Sequence, residues 1–337
     1  MSTFKGFVVP AKGQKLELRD YPAPPLGDND VDIQVTHNGL CHTDCHMRDN
    51  DWGNAKFPFV PGHEVVGVVK TIGKNVRFLK EGDRVGYGWI KDSCRNCTRC
   101  IRGQENLCKI GHVGLITLGS NGGFQPVMRA PADFAFKLPE ALDSASAAPL
   151  LCAGVTVYAP LKRHITFPGM KVGVLGIGGL GHMAVQIAAK LGAEVIAISG
   201  SKDKEAECLA MGASSFVTTG EANDKLTGEL DLLINCVSAK TDYAQQMGWL
   251  AHAGTLCIVG LPVEEITVPL LGTVFYQKSV TGSIVGGRDD VKEMLQFCAV
   301  HGIKPLIETM PLSQINEAMD RVVANKARYR IVLTTDV

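Results

Sequence analysis

The sequence predicts a two-domain α/β protein, a β-rich domain joined to a doubly wound parallel sheet. Three observations carry this. The first 150 residues hold short β-like runs broken by Gly and Pro, with little helical periodicity. From about Gly169 apolar strands alternate with helix-period segments. Near that change stands Gly176-Ile177-Gly178-Gly179-Leu180-Gly181, a G-x-G-x-x-G between an apolar run and a helical pattern.

In chain order, Phe4–Val9, Val31–His37, Val65–Thr71 and Arg84–Gly88 read as strands. Turn clusters such as Pro22–Asp30 separate them, which suits a compact barrel or sandwich. Lys171–Leu175 is a strand, and Gly179–Leu191 a helix with Ala184, Ile187, Ala188 and Leu191 on one face. Glu194–Ser199 is the next strand and Lys204–Met211 the next helix. Phe216–Thr219, Asp231–Val237, Thr255–Gly260 and Ser279–Ile284 continue the strands. Helices follow at Asp289–Val300 and Ser313–Asn325, then a closing strand at Arg330–Thr334. The expected domains are 1–150, completed by a returning 286–337, and an inserted 151–285. Composition does not reveal that return.

The chain has 34 Lys+Arg and 34 Asp+Glu, and this zero net charge argues against a polyanion such as nucleic acid as partner. No apolar run approaches the ~18 residues of a membrane span. Met1–Pro10 lacks a basic stretch followed by an apolar one, so no secretory signal and a cytoplasmic location are expected. Eleven cysteines, an odd number, favour metal binding or free thiols over a disulfide scaffold.

Cys94, Cys97, Cys100 and Cys108 form C-x2-C-x2-C-x7-C, which can close a tetrahedral thiolate site from one loop. Such a site has no vacant position and would be structural. It would order a polar stretch (Lys91, Asp92, Arg95, Asn96, Arg99) that has little to pack. An iron–sulfur cluster is a rival reading, although Lys109 rather than Pro follows the last cysteine. A nucleic-acid-binding zinc ribbon is another, given Arg95, Arg99, Arg102 and Lys109.

A second constellation is dispersed: Cys41-His42-Thr43-Asp44-Cys45-His46, Gly62-His63-Glu64, and Cys152 in Leu151-Cys152-Ala153-Gly154. Together these offer two thiolates and an imidazole, the ligand set of a catalytic zinc that keeps a fourth position open. The glycine motif suits a dinucleotide whose pyrophosphate rests on the helix N-terminus.

These residues resemble the zinc-dependent medium-chain alcohol dehydrogenases, and most of all their cinnamyl-alcohol-dehydrogenase branch. The resemblance spans essentially the whole chain. It rests on Gly39-Leu40-Cys41-His42-Thr43-Asp44, Pro61-Gly62-His63-Glu64, Gly82-Asp83-Arg84-Val85-Gly86, the four-cysteine loop, and Pro149-Leu150-Leu151-Cys152-Ala153-Gly154-Val155-Thr156. It implies a GroES-like catalytic domain and a Rossmann nucleotide domain, with two zinc ions per chain. Cys41, His63 and Cys152 would hold the catalytic zinc, and Cys94, Cys97, Cys100 and Cys108 the structural one. Thr43 would bond the substrate oxygen and pass its proton through the cofactor ribose toward His46. Asp44 would orient His63, and Glu64 would approach the metal during ligand exchange. His42, Thr156, Gly176, Gly178, Gly179, Leu180, Gly181, Val259, Gly260 and Ser283 would border the cofactor. Cys45 has no role in the pattern and reads as a packed thiol.

The resemblance further implies an NAD(P)-linked enzyme, a homodimer, that interconverts primary alcohols and aldehydes, zinc acting as a Lewis acid. Trp89, Leu118 and Ile284 would lie near the substrate, and Trp52, Trp89, Phe57 and Phe59 can line an apolar pocket. Lignin-pathway enzymes carry a tryptophan shortly after the last structural cysteine. Lys109-Ile110-Gly111-His112-Val113 has none, so broad aldehyde reduction fits better than a monolignol role. Two other readings are a zinc-free quinone reductase of the same fold and a non-catalytic zinc protein that binds nucleic acid or a partner through its cysteine loop.

Cofactor choice is legible after the second strand of the nucleotide domain. An acid normally stands there to hold the adenosine ribose. Here Ser199 takes that place, Ser201 adds a hydroxyl, and Lys202 and Lys204 add positive charge, with Asp203 expected inside the next helix. NADP is therefore the expected cofactor, with Ser199, Ser201 and Lys204 on its 2′-phosphate.

Overall fold

Alternation along Val31, Ile33 and Val35 puts three β-branched side chains on one face of an extended segment, and all three are buried. They belong to the strand Asp30–Leu40, which anchors a seven-stranded sheet. The computed structural model describes residues 3–261 and 265–337. The chain divides into two units, one of Met1–Cys152 with Gly286–Val337 and one of Ala153–Val285.

In the first unit the sheet runs Ile307–Pro311, Arg330–Thr334, Asp30–Leu40, Val65–Ile72, Arg84–Tyr87, Ala135–Lys137, and Val127–Pro131 also pairs with Asp30–Leu40. Arg330–Thr334 lies antiparallel to Asp30–Leu40, with Ile331 opposite Leu40 and Thr334 opposite His37. The C-terminal strand is thereby stitched to the strand that ends at the Cys41 motif. A hairpin of Thr3–Val8 and Glu17–Pro22 stands apart from this sheet. A short ladder of Ile90–Asp92 with Val113–Gly114 closes the base of the four-cysteine loop.

The second unit is a six-stranded parallel sheet in the order Ser215–Thr218, Glu194–Ser199, Lys171–Leu175, Leu230–Asn235, Leu250–Ile258, Ser279–Gly282. Numbered within the unit this is 3-2-1-4-5-6, the doubly wound dinucleotide-binding order. Its strands read as continuous apolar runs because both faces are covered; Leu232, Leu233, Ile234, Ile198 and Val174 are fully buried. The crest of the sheet, where the order reverses beside Lys171–Leu175, is the place such folds bind ligands.

Several expected elements shift. The helix after the glycines is Gly181–Lys190, so Gly179 and Leu180 precede it. Lys202–Lys204 is a 3-10 turn and the helix begins at Glu205, which leaves Asp203 outside that helix. Ser313 likewise lies in a 3-10 turn, Leu312–Gln314, before the helix Ile315–Val323. The edge strand ends at Gly282, and Ser283 and Ile284 follow it. Contrary to the count of apolar runs, one helical stretch, Ser144–His164, is long and apolar enough to cross a bilayer. Its most apolar window is 89% buried within the protein, the signature of a core helix.

Candidate active site

Cys41 ends the run from Asp30–Leu40 and caps the helix His42–Asp49. One turn on, Asp44 is fully buried and reaches three groups at once. It accepts the Cys41 N–H at 3.1 Å, the Gly62 N–H at 3.0 Å, and bonds His63 Nδ1 at 2.9 Å. A carboxylate only accepts, so His63 carries its proton on Nδ1 and turns Nε2 the other way. There Nε2 meets Cys152 Sγ at 3.3 Å. Cys152 lies in the π-helical turn Leu150–Gly154, an irregularity that recurs at functional sites because it re-aims a side chain.

The donor atoms of Cys41, His63, Glu64 and Cys152 all lie within 4.8 Å of one another. A tetrahedral ion with Zn–S and Zn–N bonds of ordinary length sets its N and S ligands about 3.5 Å apart, so the residues present fit such an ion. The two thiols act as a pair. The hydrogen bond from Cys152 holds Cys41 well below the usual thiol range despite burial, and His63 assists. The same bond and burial push Cys152 well above it. Burial works against a charged His63 ring, yet the Asp44 carboxylate and Cys41 hold its pKa well above the usual imidazole value.

Glu64 is fully buried, and one of its oxygens accepts from the buried guanidinium of Arg330. The other oxygen, Oε2, has no hydrogen-bond partner among the described residues, and the Glu64 carboxylate belongs to the donor cluster. Burial raises the Glu64 carboxyl to about 7 against the pull of Arg330. A Cβ at Gly39 would stand 1.9 Å from Oε2, so the close approach of this carboxylate requires glycine there. Sequence reasoning gave Arg330 no role, and Gly39 none beyond its place in the Gly39-Leu40-Cys41 motif. The available signal was a single arginine opening the buried run Ile331-Val332-Leu333, since a charge in such a place needs a partner.

Thr43 and His46 share a face of the helix His42–Asp49, three residues apart. His46 Nδ1 bonds Asp51 Oδ2 at 2.7 Å, a partner the sequence did not suggest, and its ring packs against those of His42 and Trp52 at 5.0 and 4.9 Å. Cys45 is buried away from water with its thiol pushed far up, as a packed residue would be. Trp89 meets the His63 ring edge-on at 5.4 Å and donates to His112 Nε2 at 3.2 Å. Leu118 is 68% exposed, and Ile284, in the second unit, 49%.

The four-cysteine loop also converges, its sulfurs all within 4.8 Å of one another. Cys94 and Cys100 sulfurs are 3.8 Å apart and those of Cys97 and Cys100 3.6 Å. Bonds of about 2.3 Å to one tetrahedral ion give S···S distances near 3.8 Å. A single ion fits, which removes the cluster of several irons. Backbone donors, first that of Lys109, lower the Cys97 thiol to about 6, while burial raises Cys100 to about 12. Glu105, buried inside the loop, accepts from the N–H and Nε of Arg288 at 2.8 and 2.6 Å and so ties the loop to the helix Arg288–His301.

In the second unit, Gly181 permits the helix to start against the glycine turn, since a Cβ there would lie 2.1 Å from the Gly176 carbonyl oxygen. Among the described residues the N–H groups of Gly179 and Leu180 have no partner, which leaves donors where the helix dipole favours an anion. Val259 and Gly260 both donate to the Asn235 carbonyl, at 3.0 and 3.1 Å. Ser283 leaves its hydroxyl buried without a hydrogen-bond partner among the described residues, and Thr156 is buried in the helix Val155–His164. Lys204 Nζ donates to the Ile177 carbonyl at 2.8 Å, whereas Lys202 pairs with Glu221 at 3.8 Å. Ser199 ends its strand as expected, but the Ser201 hydroxyl bonds Asp203, which stands beside it in the 3-10 turn.

Residues 27–140 match the family model of the alcohol dehydrogenase GroES-like domain, and residues 179–300 that of the zinc-binding dehydrogenases. The chain is 39% identical over 344 residues to an NADP-dependent alcohol dehydrogenase C of Mycolicibacterium smegmatis, covering 99% of both. It is 39% identical over 332 residues to an aldehyde reductase of Synechocystis, covering 98% of both. A cinnamyl alcohol dehydrogenase structure from Sorghum bicolor superposes with a TM-score of 0.93 at 38% identity, over 99% of this chain and 98% of that one. With a GroES-like unit that gathers two thiols and an imidazole, and a second unit in dinucleotide-binding order, the chain belongs to the zinc-dependent medium-chain alcohol dehydrogenases, in their cinnamyl-alcohol-dehydrogenase-like branch.

Proposed function

We propose that the protein is a zinc-dependent, NADP-linked alcohol dehydrogenase that works on primary alcohols and their aldehydes, aromatic and medium aliphatic. The observation that carries this is the buried cluster of Cys41, His63, Cys152 and Glu64, held by Asp44 and Arg330. Cys41, His63 and Cys152 would hold the catalytic zinc, which when bound supplies Lewis-acid polarisation of the substrate oxygen. Cys94, Cys97, Cys100 and Cys108 would hold a second, structural zinc. A nicotinamide cofactor, when bound by the second unit, would supply or accept the hydride.

The chain's own residues do the rest. Thr43 presents a hydroxyl that bonds the substrate oxygen, and His46, fixed by Asp51, is the outlet for its proton. Trp89 walls the His63 side of the site with an apolar ring. The names of the Mycolicibacterium and Synechocystis relatives support NADP and aldehyde reduction.

A homodimer is proposed through the second unit. Its edge strand Ser279–Gly282 has no strand neighbour on the far side among the described residues, and the helix Leu270–Phe275 exposes Leu270, Leu271, Val274 and Phe275 by 64 to 75%. The eleven cysteines are all unpaired, which suits the reducing cytoplasm.

The test is metal analysis together with turnover of aromatic and aliphatic aldehydes by NADPH and NADH, followed at the nicotinamide absorbance. The expected result is zinc in the purified protein and a clear preference for NADPH. Equal catalytic efficiency with the two cofactors would overturn the NADP assignment, and full turnover after complete zinc removal would overturn the zinc chemistry.

A further inference from the structure

The glycine turn of the second unit is held from behind by two side chains. His182 is fully buried on the first turn of the helix Gly181–Lys190. Its ring Nδ1 lies 3.0 Å from the Gly178 carbonyl oxygen, and its backbone N–H donates to the same oxygen at 3.1 Å. A carbonyl only accepts, so Nδ1 carries the proton. One residue earlier, Lys204 Nζ donates to the Ile177 carbonyl at 2.8 Å. Lys204 comes from the turn after the second strand, so two separate elements grip consecutive carbonyls of one short loop.

In a trans peptide the C=O points opposite to the N–H of the same plane. Fixing the Gly178 carbonyl toward His182 therefore aims the Gly179 N–H the other way. Gly179 and Leu180 are among the loop residues whose N–H groups have no partner among the described residues. An unrestrained glycine loop samples many backbone states, and that freedom is lost on binding. Holding its carbonyls beforehand removes part of that loss.

We infer that His182 and Lys204 are positioning residues that preset the glycine loop for the dinucleotide pyrophosphate. This rests on the dinucleotide reading above. Lys204 then has two functions. An ammonium carries three N–H groups, so a bond to Ile177 does not exclude one to an adenosine 2′-phosphate. Lys204 should contribute to binding of any dinucleotide through the loop, with a further contribution when a 2′-phosphate is present.

The experiment measures dissociation constants of the zinc-loaded protein by fluorescence titration for ADP-ribose, NADH, NADPH and adenosine 2′-phosphate. ADP-ribose probes the loop without the 2′-phosphate, and adenosine 2′-phosphate probes the reverse. His182→Leu should weaken ADP-ribose, NADH and NADPH by a common factor of about five- to tenfold. It should leave adenosine 2′-phosphate within about twofold, and His182→Asn, which restores a donor, should recover much of the loss. Lys204→Met should weaken ADP-ribose about fivefold, and NADPH by clearly more than NADH. ADP-ribose binding unchanged in Lys204→Met, or in folded His182→Asn and His182→Leu alike, overturns the inference. A general loss that includes adenosine 2′-phosphate in His182→Leu, without recovery in His182→Asn, overturns it as well. Failure of the cofactor reading is separate: the unaltered protein would then bind neither dinucleotide, or NADH better than NADPH.

Discussion

The buried guanidinium of Arg330 donates to the buried carboxylate of Glu64 across 266 residues of sequence, behind the cluster of Cys41, His63 and Cys152. It joins the last strand of the chain to a residue next to a candidate metal ligand. Removing one member of a buried ion pair leaves the other charge uncompensated in a low dielectric. Arg330→Met should therefore cost about 3 kcal/mol or more in chemical unfolding, and Glu64→Gln in that background should recover part of it. A cost below about 1 kcal/mol would mean the pair is no stronger than a surface bridge.

Cys41→Ser, His63→Ala and Cys152→Ser should each abolish most turnover while the fold persists. Each should also lower zinc from an expected two per chain to about one, read by atomic emission. A folded variant that lacks this ion yet turns over at the unaltered rate would end the assignment.

Cys97→Ser or Cys100→Ser should act the other way round, with thermal stability falling first and activity only as a consequence. A closed thiolate site contributes folding energy, and Glu105 passes the order of the loop to Arg288 at the start of the helix Arg288–His301. Unchanged melting of either variant in the presence of a chelator would contradict a structural role.

Asp143 caps the helix Ser144–Pro149, accepting the Ser146 N–H at 2.8 Å, and pairs with Lys304 at 3.0 Å. Burial alone would raise its carboxyl, but Ser146 and Lys304 prevail and hold it at about 2. The folded pKa lies below the unfolded value of about 3.9, so the contribution is complete above that pH and is lost as pH falls toward 2. Asp143→Ala should cost about 1 kcal/mol at neutral pH. The gap between the two urea midpoints should close in acid; a gap of constant size from pH 7 down to about 2 would remove this account.

Much of this molecule was legible in its sequence because the relevant signals are local. Period-2 and period-3.6 patterning marked Glu194–Ser199 and Arg330–Thr334 to the residue, since each strand is bounded by a turn or a change of polarity nearby. The four thiols within fifteen residues announced a metal loop because their spacing alone brings them together. The Cys41 motif, Gly62-His63-Glu64 and Cys152 were recognisable as fragments for the same reason. What the sequence could not decide is everything fixed by pairing between distant segments. That Arg330–Thr334 lies against Asp30–Leu40 depends on register between strands some 290 residues apart, and register leaves no mark on composition. Arg330 on Glu64, the room Gly39 leaves for it, Asp51 on His46, and Lys204 on Ile177 are contacts between side chain and site that only packing creates. A residue's type states which bonds it can make, while the tertiary structure decides, through desolvation, which of those bonds it must make.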